Sequence, residues 1–369
     1  MSRLRVAVVG AGHLGRIHAK LLNAVDGAEL VAITDPYEGS RAMASEQFGV
    51  PTFESHQEII EQIDAAVIAA PTDHHVEIAD DLIQAKKHVL VEKPLATTAA
   101  DCDRLIAAAQ RRRVILQVGH VERFNPAWSA AESVAKTPKY IESVRASSFP
   151  GRCLDVGVVM DLMIHDLDLI HSLTDADPVR VDASGISLVS DHEDIAEARV
   201  TFGCGLVANV KASRISPSPT RQMQIFGPNG FADIDFSGPS ATLIQPDPSL
   251  VDRTFDLEAE IAGRPKGPLG YGETLFSDFL PVQTPTIEPR NAILDELHDF
   301  VLSVQVGTQP TVNGIAGGRA VALAEQILQS MGQHQWMPAD QPFLRGPHTT
   351  VPESIEAATR RVHDQRRAA

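Results

Sequence analysis

Cysteine is nearly missing from this chain. Its three residues, Cys102, Cys153 and Cys204, are scattered and odd in number. That argues against a disulfide framework and a cysteine-built zinc site, and fits free thiols in a reducing compartment. Long apolar runs are also lacking. None approaches the roughly 20 residues needed to span a bilayer. The run Val6-Ala7-Val8-Val9 behind Met1 to Arg5 is too short for a secretory signal. A cytoplasmic protein with no membrane span is expected. Positive charge is scarce: 32 Lys and Arg against 48 Asp and Glu leave a net charge of −16. General nucleic-acid binding needs clustered cations, so it is not expected. The one dense basic spot, Arg111-Arg112-Arg113, reads as cations closing a helix. Internal repeats and low-complexity tracts are lacking too.

What is present fits two domains with proper cores. Up to about residue 120, short apolar runs alternate with helical patterns. Leu4 to Val9, Glu29 to Thr34, Ala65 to Ala70, His88 to Val91 and Val114 to Val118 read as strands. Leu14, Ile17, Leu21, Leu22 and Val25 recur at helical spacing, and His74 to Lys87 reads as a helix. Ser55 with Glu58 forms a capping box for a short helix, and Thr98 with Asp101 caps another. Continuously apolar strands alternating with helices predict a parallel sheet covered on both faces, with ligands at the carboxyl ends of its strands.

Beyond residue 120 the pattern changes. Lys139 to Phe149 has strand character and Val158 to Leu173 reads as a helix. Strand-like segments then gather around the turns Gly203-Cys204-Gly205 and Gly227-Pro228-Asn229-Gly230. These predict an α+β domain built on a mostly antiparallel open sheet. Residues 263–290, rich in Gly and Pro, read as a long loop; Asn291 to Val306 and Gly317 to Met331 read as closing helices. The expected division is 1–122 for a Rossmann domain, 123–338 for a substrate and oligomerisation domain, and 339–369 for a peripheral tail.

Gly10-Ala11-Gly12-His13-Leu14-Gly15 sits between a strand and a helix, the setting a dinucleotide fingerprint requires. Gly10 permits a tight turn, Gly12 lets the backbone approach a pyrophosphate, and Gly15 lets helix pack on strand. Free N–H groups at the helix start, near His13 and Leu14, receive the anion. Asp35 ends the next strand, where an acid accepts from a ribose 2′-hydroxyl. A carboxylate there repels a 2′-phosphate, so NAD is expected over NADP; Arg41 downstream softens that preference.

Glu92-Lys93-Pro94 ends a strand on the ligand-bearing edge. Lys93 there can donate to a substrate hydroxyl or relay its proton. A surface Glu92–Lys93 ion pair is the plainer alternative. Asp161, His165 and Asp168 follow at spacings that share one helical face. His165 is suited to take a hydroxyl proton near neutral pH, with Asp161 orienting the ring or holding a hydroxyl. The same spacing also suits a helix-stabilising pair. No third His or Cys ligand lies at suitable spacing, so no metal is expected.

Together these pieces resemble the Gfo/Idh/MocA oxidoreductase family, named for glucose-fructose oxidoreductase and inositol dehydrogenase. The resemblance spans roughly residues 4–335. It rests on Gly10 to Gly15, Ala69-Ala70-Pro71-Thr72-Asp73-His74-His75, Glu92-Lys93-Pro94, and Asp161 with His165. It implies that Lys93, Asp161 and His165 line a nicotinamide pocket, and that the loop with Pro71, Thr72 and His75 runs along the cofactor. Met163 stands where many members have Gly, which bears on the helix packing. The activity implied is hydride exchange between a sugar-like hydroxyl carbon and NAD, by a homo-oligomer. Gly119-His120-Val121-Glu122-Arg123-Phe124-Asn125-Pro126 with the segment Asp161 to Asp168 resembles the bacterial branch that oxidises the 3-hydroxyl of UDP-N-acetylglucosamine. Arg123 then suits a phosphate or carboxylate, and Asn125 and Asp168 suit hydroxyls. A domain-joining turn with Asn-Pro opening a helix explains the same segment. Oxidation of inositol or another polyol, reduction of a keto sugar, and a non-catalytic NAD sensor are the competing expectations.

Overall fold

The computed structural model describes residues 3–149, 156–189, 191–262 and 271–333. Cys153, residues 263–270 of the expected loop and the expected tail 339–369 therefore lie outside the described residues.

The first sheet has six parallel strands: β1 (Leu4–Val9), β2 (Ala28–Thr34), β3 (Thr52–Phe53), β4 (Ala65–Ile68), β5 (His88–Glu92) and β6 (Leu116–Gly119). Their order is β3-β2-β1-β4-β5-β6. Val6, Ala7 and Val8 of β1 are fully buried because helices cover both faces. These helices are α1 (His13–Leu22), α2 (Glu38–Phe48), α3 (His75–Gln84) and α4 (Ala99–Arg112). Strand order reverses between β1 and β4, which opens a crevice at their carboxyl ends.

Local signals act as expected, with one change. The Thr98 hydroxyl accepts from Asp101 N–H at 3.1 Å and starts α4. Arg111 and Arg112 occupy its last turn and Arg113 its left-handed cap, so the basic run is a helix end. The Ser55–Glu58 capping box is complete, yet it opens two 3₁₀ turns, His56–Glu58 and Ile60–Gln62. Ile59 and Ile63 are fully buried and pin this stretch just before β4.

A linking helix, α5 (Pro126–Ala135), leads to the second sheet. Its strands are β7 (Tyr140–Ala146), β8 (Pro178–Ile186), β9 (Ile195–Phe202), β10 (Val207–Ser213), β11 (Thr220–Gly227), β12 (Gly230–Asp235), β13 (Ser240–Ile244) and β14 (Val282–Gln283). They run β14-β13-β12-β11-β7-β10-β9-β8, antiparallel except for β7 beside β10. Alternation is clear in β9, where Ala196, Ala198, Val200 and Phe202 are buried and their neighbours are not. One face is thus covered and the other open.

The expected helix at 158–173 is split. Val159–Met163 forms a π-turn, and α6 (Ile164–Ser172) continues from it. The expected long loop is also more structured where it is described. After α7 (Pro248–Val251) and α8 (Leu257–Ala262), the chain forms α9 (Tyr271–Thr274), a π-turn at Leu275–Phe279 and then β14. Phe279 packs on Phe255 with ring centroids 4.7 Å apart, which anchors a segment whose composition suggests only loop.

The last helices return to the first sheet. On α10 (Ala292–Val306), Leu297, Phe300 and Val301 share an apolar cluster with Val6, Val8 and Leu22. α11 (Gly314–Gln333) lies against β6, where a Cβ on Gly317 would meet Val118 at 2.5 Å. Its other end reaches β8, where Met331 sits over Gly185. One helix thereby bridges both sheets.

Candidate active site at the carboxyl edge of the parallel sheet

The glycine turn is built as its spacing requires. Gly10 has φ +100°, and a Cβ there would lie 2.5 Å from the Ala69 carbonyl oxygen. A Cβ on Gly15 would lie 1.8 Å from the Gly10 oxygen, so α1 can approach β1 only without one. A Cβ on Gly12 would meet nothing within 4 Å: the space above this residue is open. Gly12 caps α1 with no side-chain hydrogen bond, which leaves the N–H groups around His13 and Leu14 available to an anion. Asp35 follows β2 and its carboxylate accepts from Ala11 N–H at 2.8 Å and Tyr37 N–H at 2.9 Å. Arg41 gives one guanidinium nitrogen to the Asp35 and Pro36 carbonyls. Open space at Gly12, a free helix start and a fixed carboxylate fit the pyrophosphate and ribose of a dinucleotide.

Two neighbouring strand ends meet this turn. Thr72 is buried in the 3₁₀ turn Thr72–His74 behind the exposed Pro71, and α3 starts at His75. The His75 ring nitrogens sit 2.8 Å from the Pro94 carbonyl and 2.9 Å from the Ala70 carbonyl. That imidazole ties the turn after β4 to the loop after β5.

Lys93 leaves β5 toward the second domain. Its Nζ donates to the Asp161 carboxylate at 2.9 Å and to the Asp161 backbone carbonyl at 2.6 Å. Their side chains are 13% and 10% exposed, so this pair is nearly buried. The surface Glu92–Lys93 pairing does not form. Glu92 turns inward and binds His18 Nε2 at 2.7 Å, as neighbours on a strand must face opposite ways. Burial by itself would raise the Glu92 carboxyl, but the His18 hydrogen bond and the nearby His18, Lys93 and His75 hold it below its usual range.

Asp161 binds Lys93, and His165 Nδ1 is buried without a hydrogen-bond partner among the described residues. The expectation that Asp161 orients the imidazole assumed a uniform α-helix. A π-turn inserts a residue and rotates the helix before Met163 against the helix after it. Burial, then the charges of Lys93 and Arg145, drive the His165 pKa well below 6.5. The imidazole is therefore neutral at neutral pH.

The proposed substrate contacts are partly engaged within the protein. Asn125 caps α5, accepting from Ala127 N–H at 3.0 Å and donating to Glu122 at 2.9 Å and the Phe236 carbonyl at 3.3 Å. Those contacts use both amide hydrogens and the oxygen. Arg123 and Asp168 face each other, 3.5 Å apart, with the Asp168 side chain only 2% exposed.

Several groups escaped the sequence reading. His18 lies on the buried face of α1 with Ala19 and Leu22. Arg145 is clamped between Glu122 and Asp166 at 2.8 Å each. A cation at a covered strand position, in phase with buried Ile141 and Ser143, was the available signal. Glu296 comes from α10, and only the three-dimensional fold brings it near Glu92.

A profile of the oxidoreductase family with an NAD-binding Rossmann fold, Gfo/Idh/MocA, matches residues 4–120. The C-terminal domain profile of the same family matches residues 142–233. The chain belongs to this family of oxidoreductases. It is similar to the UDP-N-acetylglucosamine 3-dehydrogenase of Acidithiobacillus ferrooxidans, 33% identical over 328 residues, which cover 89% of this chain and 97% of that one. A solved structure of that dehydrogenase superposes with a TM-score of 0.76 at 31% identity, covering 89% of this chain and 98% of the other. The myo-inositol 2-dehydrogenase of Thermotoga maritima is 26% identical, over 89% of this chain and 96% of its own.

Proposed function

We propose that this protein oxidises a secondary hydroxyl of a nucleotide sugar, the 3-hydroxyl of UDP-N-acetylglucosamine, with NAD as the hydride acceptor. The observation that carries the chemistry is the Lys93–Asp161 pair set beside a neutral, buried imidazole at His165. Similarity to the Acidithiobacillus dehydrogenase over nearly the whole chain supports the choice of substrate.

NAD, when bound, supplies the acceptor for the hydride. The chain supplies the rest. Gly12 and the start of α1 would hold the pyrophosphate, with Pro71 and Thr72 beside the cofactor and Glu92 backing α1 through His18. Lys93 donates to the substrate hydroxyl oxygen and stabilises negative charge on it as the proton leaves. His165, neutral and able to accept, takes that proton. Asp161 holds the ammonium in place through two contacts, which limits its freedom before the substrate arrives. Arg123 and Asp168 form a substrate-side pair, and Asn125 supports it by fixing the start of α5.

Asp35 supports NAD over NADP, because its fixed carboxylate repels a 2′-phosphate. Arg41 is drawn to the carbonyls of the same turn, which reduces its availability to such a phosphate. The test is incubation with UDP-N-acetylglucosamine and either cofactor, read by mass spectrometry. Loss of two hydrogens from the sugar, faster with NAD, is expected. No product, or faster turnover with NADP, overturns the respective part. Similarity to the Thermotoga enzyme makes myo-inositol the second substrate to try.

A further inference from the structure

We propose that His120 is a proton-relay residue that works through His165, carrying the proton released by each oxidation away from the pocket. The proposal rests on His165 being the base.

His120 follows β6 directly and is 1% exposed. Among the described residues, neither of its ring nitrogens has a hydrogen-bond partner, and the same holds for Nδ1 of His165. The two rings meet edge to face with centroids 6.2 Å apart. An imidazole buried with both nitrogens unpaired carries a desolvation penalty that a Phe or Leu of similar bulk would avoid. Water is the natural partner for such nitrogens, and a shared water would link the two adjoining rings. The groups facing His120 come from several elements. Asp168 lies on α6, Lys93 and Glu92 at the end of β5, and Arg123 in the turn after His120. Asp168 favours a protonated His120; Lys93 and Arg123 oppose it, and burial opposes it most. Burial leaves the His120 pKa below the usual imidazole range, so a proton that reaches the ring is passed on.

With NAD bound, the substrate C–H bond would break and its hydrogen leave with both electrons to the nicotinamide. The O–H bond breaks and its proton goes to His165 Nε2, while the C=O bond forms. His165 then loses its Nδ1 proton, through one water, to His120. His120 passes its other proton to the Asp168 carboxylate, which exchanges it with solvent; both rings are then neutral in the opposite tautomer, and exchange with water returns each to its starting tautomer before the next turnover.

His120→Gln tests this, with His120→Phe as the second variant. For both, kcat is expected to fall about tenfold or more, with KM and NAD affinity within about twofold of native. The relay also has a readout without turnover. In the full-length native protein without cofactor, histidine ring NMR should show His120 and His165 titrating as a coupled pair. In His120→Gln the His165 titration should collapse to a single, shifted step. An unchanged His165 titration, or a native kcat in His120→Gln, overturns the relay. If neither variant folds, independent titration of the two rings in the native protein overturns it alone. His165→Ala separates the two ideas: near-native turnover there removes the base itself, whereas a dead His165→Ala with a native His120→Gln removes only the relay.

Discussion

The Lys93 ammonium is held by both the carboxylate and the backbone carbonyl of Asp161, at 2.9 and 2.6 Å. This joins the end of β5 in the first sheet to the π-turn at Val159–Met163. The contact fixes the relative place of the two halves where cofactor and substrate would meet. Lys93→Ala should lower kcat by about 10²–10⁴ with NAD affinity nearly unchanged. Asp161→Asn keeps the carbonyl contact and should cost less, about tenfold in kcat. Steady-state kinetics with NAD-binding titrations check both.

The pH profile should follow His165. A base acts when unprotonated, and this one has its pKa driven well below 6.5 by burial and by Lys93 and Arg145. Lowering that pKa keeps the base active further into acid. The acid limb of kcat/KM should therefore lie below the ordinary imidazole range. An acid limb at or above 6.5 that disappears in His165→Ala would contradict the neutral-base reading.

Gly12 and Gly15 should behave differently although they are three residues apart. A Cβ at Gly12 meets open space, so Gly12→Ala should fold normally and lose about tenfold or more in NAD affinity. A Cβ at Gly15 would sit 1.8 Å from a backbone oxygen, so Gly15→Ala should lower the melting temperature itself. Thermal melts and NAD titrations of the two variants distinguish these outcomes.

Glu296 should destabilise the fold at neutral pH. Burial, then the charge of Glu92, raises its pKa well above 4.5, and its Oε1 has no hydrogen-bond partner among the described residues. The folded state then holds a proton to higher pH than the unfolded chain does. Stability is lost as pH rises from the unfolded value toward the folded one. Glu296→Gln removes that titration and should raise the melting temperature at neutral pH, by about 2–4 °C per kcal/mol relieved. The gain should shrink toward acid pH, as melts across pH would show.

Much of this was legible in the chain. Strand-helix alternation and the glycine spacing carry the first sheet, because both follow from local chemistry near Gly10 to Gly15 and Asp35. Lys93, Asp161 and His165 were recognisable by type and position. Their pairing was not. The D-x-x-x-H spacing presumes an α-helix, and no rule of composition marks the π-turn at Val159–Met163. His18, Arg145 and Glu296 were hidden because each acts on a partner distant in sequence. The helix at Tyr271–Thr274 was obscured by surrounding Gly and Pro. Asn125 illustrates the opposite case: its local Asn-Pro role as a helix cap takes up its hydrogen bonds.

Hydride transfer from a sugar carbon beside Lys93 and His165 is tested most directly with UDP-N-acetylglucosamine carrying deuterium at C3. Each NADH formed should carry one deuterium, and the Lys93→Ala, His165→Ala double variant should form none. Unlabelled NADH, or full activity in that double variant, would contradict it.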